Sequence, residues 1–293
     1  MLSPQQKMQL DRFKKELWGR AWWFRGRYTA KSTRTRAQTF LDENQENMIF
    51  VMGSGRSGTQ LLSDLLDSAG TAKVFHEPNF WEDVGSMDTF RRSPELAVCF
   101  WKEFRSLEVY RRWMEKPKSQ MYGEVNSTIR YQTHAIKQLF PNAKMILVVR
   151  DGRGVIRSVM GWHQFYGPKS KGAYALSPLQ GDPYLSEWPK MSRFEKICWS
   201  LNNAHEFLMC HIPEKRWLQL EQLTSDFDYF TERFSKYLGI EIPYETWQAS
   251  VSRKSRNASK TYDLPEWQEW STEQKKSFER ICGETMIKLG YTI

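Results

Sequence analysis

The sequence predicts an α/β fold, a three-layer sandwich whose mainly parallel central sheet is flanked by helices on both sides. Three observations predict it. Ile49 to Met52 and Met145 to Val149 are short, unbroken apolar runs, the pattern of strands covered on both faces. Each run ends in a glycine-bearing polar turn followed by a helical pattern, and further strand and helix patterns alternate behind them. With 293 residues, 40% of them hydrophobic, the chain can bury a full core without a second large domain.

In order along the chain, residues 1–46 form a basic, tryptophan-rich segment. Arg12, Lys14, Lys15, Arg20, Arg25, Arg27, Lys31, Arg34 and Arg36 interleave there with Trp18, Trp22, Trp23 and Phe24. The favoured reading is a helix that docks its aromatics on the following domain while its charges face water. The other is an amphipathic helix in peripheral contact with an anionic membrane. The domain proper takes residues 47–293. Strands are expected at 49–52, 72–76, 121–126, 145–149 and 216–220, and helices near 58–69, 129–140, 152–163, 192–211, 225–238 and 271–289. Between about 163 and 191, glycines and prolines punctuate Tyr166, Tyr174, Tyr184 and Trp188, as in a lid or binding loop rather than a plain connector.

The turn after the first strand, Gly53-Ser54-Gly55-Arg56-Ser57-Gly58-Thr59-Gln60, reads as an anion cradle. Its glycines permit a tight turn and close backbone approach, and Leu61, Leu62, Leu65 and Leu66 repeat at helical spacing behind it. Loop N–H groups and the positive helix end then converge on one phosphate-sized space. Against the triphosphatase pattern G-x-x-x-x-G-K-[ST], Gly53 and Gly58 have the right separation. Thr59 stands at the lysine position, and Gln60 replaces the hydroxyl that would hold magnesium. The cradle is P-loop-like, the ATP-hydrolysing apparatus is absent, and the cation sits inside the loop at Arg56.

A second buried strand ends in Arg150-Asp151-Gly152-Arg153-Gly154-Val155-Ile156-Arg157-Ser158. Together the two motifs resemble sulfotransferases that use 3′-phosphoadenosine 5′-phosphosulfate (PAPS), in particular the R-S-G-T branch found among glycan and tyrosylprotein sulfotransferases. The resemblance spans roughly residues 47–291 and is specific in these two motifs. It implies that Gly55, Arg56, Ser57, Gly58, Thr59 and Gln60 hold the 5′ end of the donor, while Arg150 and Ser158 grip its 3′-phosphate. An arginine fork suits phosphate because its paired bonds are charge-assisted. A basic loop near 252–260, with Arg253 and Lys254, matches loosely the family loop that closes over the nucleotide; a solvated charge run is the alternative. Glu221 resembles a structural glutamate of the family, and Asp151 with Arg153 reads as a helix cap and local ion pair.

The resemblance implies PAPS as co-substrate, PAP (3′-phosphoadenosine 5′-phosphate) as product, and sulfuryl transfer to a hydroxyl or amine of a small metabolite or glycan. A base must take the acceptor's proton. In Val74-Phe75-His76-Glu77-Pro78, Pro78 biases Glu77 toward an extended backbone that carries its carboxylate past the sheet edge. The family places a glutamate base in this region, so Glu77 leads, and His76 is its rival, since histidine is a common general base. Strand alternation predicts that only one of the two faces the acceptor. His163, beside the irregular loop, is a lesser candidate, and Asn126-Ser127 is expected to line the crevice.

Composition excludes less than the motifs do. A net charge of +9 suits a polyanionic donor as well as nucleic acid or lipid, so charge alone decides nothing, and no nucleic-acid partner is expected. Cys99, Cys198, Cys210 and Cys282 show neither C-x-x-C pairing nor metal-ligand spacing, which predicts reduced packing cysteines and no metal. Without a run of about 18 apolar residues or a signal core, the expectation is a soluble, cytoplasmic chain or one separated from its anchor. Two rival functions remain: a kinase-like phosphotransferase on the same loop, and an inactive module that binds nucleotide or membrane.

Overall fold

A computed structural model describes residues 31–115, 119–167, 170, 174, 176–253 and 262–293. Residues 1–30, which carry most of the basic segment, and Lys254 lie outside the described residues. Five strands, β1 (Met48–Met52), β2 (Ala72–His76), β3 (Met121–Val125), β4 (Lys144–Val149) and β5 (Trp217–Gln219), form one sheet in the order β2-β3-β1-β4-β5. Every neighbouring pair is parallel, with Phe50 opposite Glu124 on one side and Met145 on the other. The architecture is the α/β sandwich that the apolar runs predict.

Period-two alternation divides the sheet residues between two cores. Met48, Phe50, Met52, Tyr122, Met145, Leu147 and Val149 face one layer of helices, and Ile49, Val51, Ala72, Val74, Ile146, Val148 and Leu218 face the other. The first layer includes α1 (Lys31–Glu43), whose Ala37 and Leu41 are buried and whose Phe40 meets Tyr110 and Trp113 edge-on at 5.4 and 5.1 Å. Helix α2 (Thr59–Ser68) joins β1 to β2 and packs Leu62, Leu65 and Leu66 into the second core.

From Pro78 to Gln120 the sequence predicts no element, and the structure fills the gap with helices. These are α3 (Phe80–Arg92) and α4, which runs from Pro94–Phe100 through a π-turn at Trp101–Arg105 to Ser106–Met114. After β3, a 3₁₀ turn (Arg130–Gln132) leads into α5 (Thr133–Leu139). Helix α6 (Gly152–Met160) follows β4, and α7 (Arg193–His211) starts at a reciprocal Ser192–Glu195 capping box. Beyond β5 come α8 (Leu220–Ser225), α9 (Phe227–Phe230, continued by a π-turn), α10 (Tyr244–Val251) and α11 (Thr272–Lys288). Among the described residues, no helix is long and apolar enough to cross a membrane.

The chain leaves β1 toward β2, returns to place β3 beside β1, then crosses to β4 on β1's other side. In an open parallel sheet such a reversal opens a crevice at the carboxyl ends of the central strands. Loops after β1, β2, β3 and β4 all reach that edge.

Candidate active site

A cavity of about 680 Å³ occupies the crevice. Its floor is the turn between β1 and α2, where Gly55, Arg56 and Gly58 have φ of 80°, 57° and 81°. Gly58 has a second constraint besides its left-handed backbone: a Cβ there would stand 2.5 Å from Leu220 Cδ1. Arg56 is the costlier case, since a non-glycine residue persists in that conformation only where its surroundings fix it. Three contacts do so. Its carbonyl accepts from Arg150 Nη1 at 3.1 Å, its Nε donates to Ser158 Oγ at 2.8 Å, and its guanidinium carbon lies 5.1 Å from the centre of the Trp162 ring. Burial, and then the neighbouring Arg150 charge, pushes the Arg56 pKa below its ordinary value.

Arg56 and both residues of the second motif therefore meet, although 94 and 102 residues separate them in sequence. Arg150 lines the cavity, while Ser158 is buried behind Arg56. Asp151 caps α6 by accepting from the Arg153 N–H at 2.9 Å and pairs with the same residue's guanidinium. Glu221 accepts from the Asp151 N–H at 3.1 Å and from the Tyr291 hydroxyl at 2.8 Å, so it ties the strand-end loop to the chain terminus. Of the other loop residues, Gln60 lines the cavity and bonds Asp64 along α2 at 2.9 Å. The Ser57 hydroxyl is turned inward and buried, so only the backbone of that residue can serve a ligand. Arg253 reaches the cavity from the end of α10.

Glu77 departs from its expected backbone. Its φ is 44°, not extended, because its N–H continues the ladder to Val125 O at 3.3 Å while its side chain folds back over the end of β3. There Glu77 Oε1 accepts from the Ser127 N–H at 3.3 Å and, at closer range, from the Ser127 hydroxyl. Strand alternation therefore stops at His76, and the expectation that only one of the pair faces the cavity is corrected: both line it. They differ in engagement. His76 Nε2 lies 3.0 Å from Thr59 Oγ1, while Glu77 Oε2 has no hydrogen-bond partner among the described residues. His163 is turned outward, 79% exposed and 3.3 Å from Asp263.

Above the glutamate the walls become apolar and aromatic: Phe80, Val84 and Met87 of α3, Val155 and Val159 of α6, and Ile197 and Leu201 of α7. Trp162, Phe165, Tyr166 and Tyr174 close this half, so the irregular loop contributes directly to the site.

Sequence reasoning missed the support beneath Glu77. Arg105, fully buried, donates to Glu124 Oε2 at 2.7 Å and to Asp83 Oδ2 at 3.3 Å. Asn126 donates to both carboxylates, Tyr122 to Glu124, and Gln132 to Asp83. Burial pushes the Asp83 pKa up to about 6 against the pull of Arg105. For Glu124, Arg105 and the Tyr122 hydrogen bond outweigh the effect of burial, and the pKa falls below its ordinary value. The network pins the end of β3, where Ser127 and Arg130 begin the next turn. No short motif could have revealed it, since its members come from α3, α4, β3 and the turn that follows β3.

The family model described as Sulfotransferase family matches residues 48–245, more than half of the chain. The chain belongs to the sulfotransferase family, whose reaction is the transfer of a sulfuryl group. No curated protein sequence matches it. Among solved structures, it is similar to a sulfotransferase from Alicyclobacillus acidocaldarius, with 12% identity, a TM-score of 0.44, and coverage of 84% of this chain and 96% of that one. Similar too is the sulfotransferase STF9 from Mycobacterium avium, with 13% identity, a TM-score of 0.46, and coverage of 89% and 83%. A retinol dehydratase solved with androsterone and the inactive cofactor PAP has 14% identity, a TM-score of 0.39, and coverage of 87% and 85%. Among the described residues, no group of three or more histidine, cysteine, aspartate or glutamate side chains could hold a metal ion.

Proposed function

We propose that the protein transfers a sulfuryl group from PAPS to a hydroxyl or amine of a small metabolite or glycan. The observation that carries this reading is the meeting of Arg56 and Arg150 at the cavity, joined at 3.1 Å, with Ser158 buried behind Arg56 and bracing it at 2.8 Å. A donor with phosphate at both its 5′ and 3′ ends would use both guanidinium groups; ATP would leave the 3′ site idle. The residues present fit such a donor: a glycine cradle open to the cavity, unpaired N–H groups at the start of α2, and two guanidinium groups. PAPS would supply the activated sulfuryl group. In the transfer, a bond forms from the acceptor oxygen or nitrogen to sulfur as the sulfur–oxygen bond to the 5′-phosphate breaks. The electron pair stays on that phosphate, where Arg56 and the loop N–H groups offset the growing charge.

Glu77 would take the acceptor's proton, a role supported by its lining the cavity with one carboxylate oxygen fixed by Ser127. His76 is engaged with Thr59 and serves better to brace the loop. The kinase-like alternative lacks the lysine and the following hydroxyl that its loop needs, since Thr59 and Gln60 stand in those two positions. Calorimetry with PAP, 5′-AMP and ATP tests the donor assignment. PAP should bind at least about tenfold more tightly than 5′-AMP, because each charge-assisted bond to phosphate contributes about 1.5 to 3 kcal/mol. Arg150→Ala should lose most of that preference. Equal affinities for PAP and AMP in the wild type would remove the assignment.

A further inference from the structure

The apolar half of the cavity contains one charge that the donor reading does not use. Arg130 opens the 3₁₀ turn after β3 and is 7% exposed, yet it lines the cavity among Val84, Met87, Ile197 and Leu201. Its Nη1 donates to Ser127 O at 2.6 Å, and its guanidinium carbon lies 5.5 Å from the centre of the Tyr131 ring. Its Nε is buried without a partner, and among the described residues it forms no ion pair. The fully buried carboxylates Asp83 and Glu124 are committed to Arg105, and half-buried Glu77 makes no ion pair with Arg130, its Oε1 being held by Ser127. His205 of α7 is fully buried and both its ring nitrogens lack partners. Burial, and then the Arg130 charge, pushes its pKa down to about 4, so it stays neutral and adds no second positive charge beside the guanidinium.

A buried cation without a counter-ion is costly unless water or a ligand satisfies it. Water can do so while the cavity is open. An apolar acceptor that displaced that water would strand the charge, whereas one carrying an oxyanion would pair with it. The position is informative as well, because Arg130 and Glu77 hold opposite sides of one residue, Ser127. An acceptor presenting its nucleophile to Glu77 therefore has an anion receptor one residue away.

Resting on the reading of this half as the acceptor site, we propose that Arg130 recognises an oxyanion on the acceptor. The substrate class is then a hydroxyl or amine compound whose apolar frame carries a carboxylate, phosphate or sulfate. The test uses the full chain saturated with PAP, so that the donor site is filled, and titrates 3-phenylpropionate, phenyl phosphate, phenyl sulfate and the neutral 3-phenylpropionamide by calorimetry. At least one anion should bind about tenfold or more tightly than the amide, and the tightest of the three identifies the oxyanion read. Arg130→Met should bring anions and amide within about twofold, while Arg130→Lys should keep part of the preference. Equal binding of amide and anions by the wild type overturns the proposal without any variant, as does an undiminished preference in Arg130→Met. Failure of PAP itself to bind would instead overturn the donor reading on which this one rests; PAP binding with no anion preference overturns the role of Arg130 alone.

Discussion

At the scale of single residues, the site presents a fixed carboxylate, Glu77, and a fixed guanidinium, Arg130, both held by Ser127 beyond the end of β3. If Glu77 takes the acceptor's proton, Glu77→Gln keeps the shape and the bonds from Ser127 but removes the proton acceptor. Turnover should then fall by about 10² to 10⁴ with PAP affinity unchanged. His76→Ala should cost less than about tenfold, since its observed partner is the loop residue Thr59. Steady-state rates beside PAP titrations measure both. Near-normal turnover in Glu77→Gln, with collapse in His76→Ala, would transfer the role to the histidine. Glu77 was legible in the sequence because it lies at a strand end beside a proline, and His76 because it precedes it there. Arg130 was not, because its significance is a missing partner, and an absence of partners is visible only in three dimensions.

At the scale of elements, the least legible part of the chain is the helical stretch between β2 and β3. Its pattern is obscured because its buried faces carry charge: α3 buries Asp83, Ser86 and Arg91, and the π-turn of α4 buries Arg105 beside Trp101. A period count that scores only apolar residues misses a face built this way. The five strands, by contrast, were predicted within a residue or two, and β1 and β4 were the plainest because a strand buried on both faces reads as an apolar run. The polar network has a measurable consequence for these elements. Arg105→Met would leave Asp83 and Glu124 facing each other without a cation, at a cost of about 3 to 5 kcal/mol. Urea unfolding measures this, and a loss below about 1 kcal/mol would mean that the carboxylates are compensated by other means.

At the scale of the whole molecule, stability should depend on pH through a residue that touches no ligand. His205 takes up its proton near pH 6.5 when unfolded but only near 4 when folded. Its contribution is therefore fully present above about pH 6.5 and drains away as the pH falls toward 4. By pH 5 the loss is about 2 kcal/mol. Asp83, raised to about 6 by burial, acts in the opposite sense between about 4 and 6, so comparison with a single variant is what isolates the histidine. His205→Phe should flatten the acid limb by that amount in urea unfolding at pH 7.5 and 5. Parallel curves for the two proteins would show that His205 is not held neutral. The strand order has a practical consequence as well. Because the strand-end loops that line the cavity all leave the carboxyl edge of the sheet, the opposite edge lies away from the site. Its turns, such as the one before β4 with Asn142 exposed, offer a place where the enzyme can be tethered to a surface or given a fluorophore while its mouth stays open to solution.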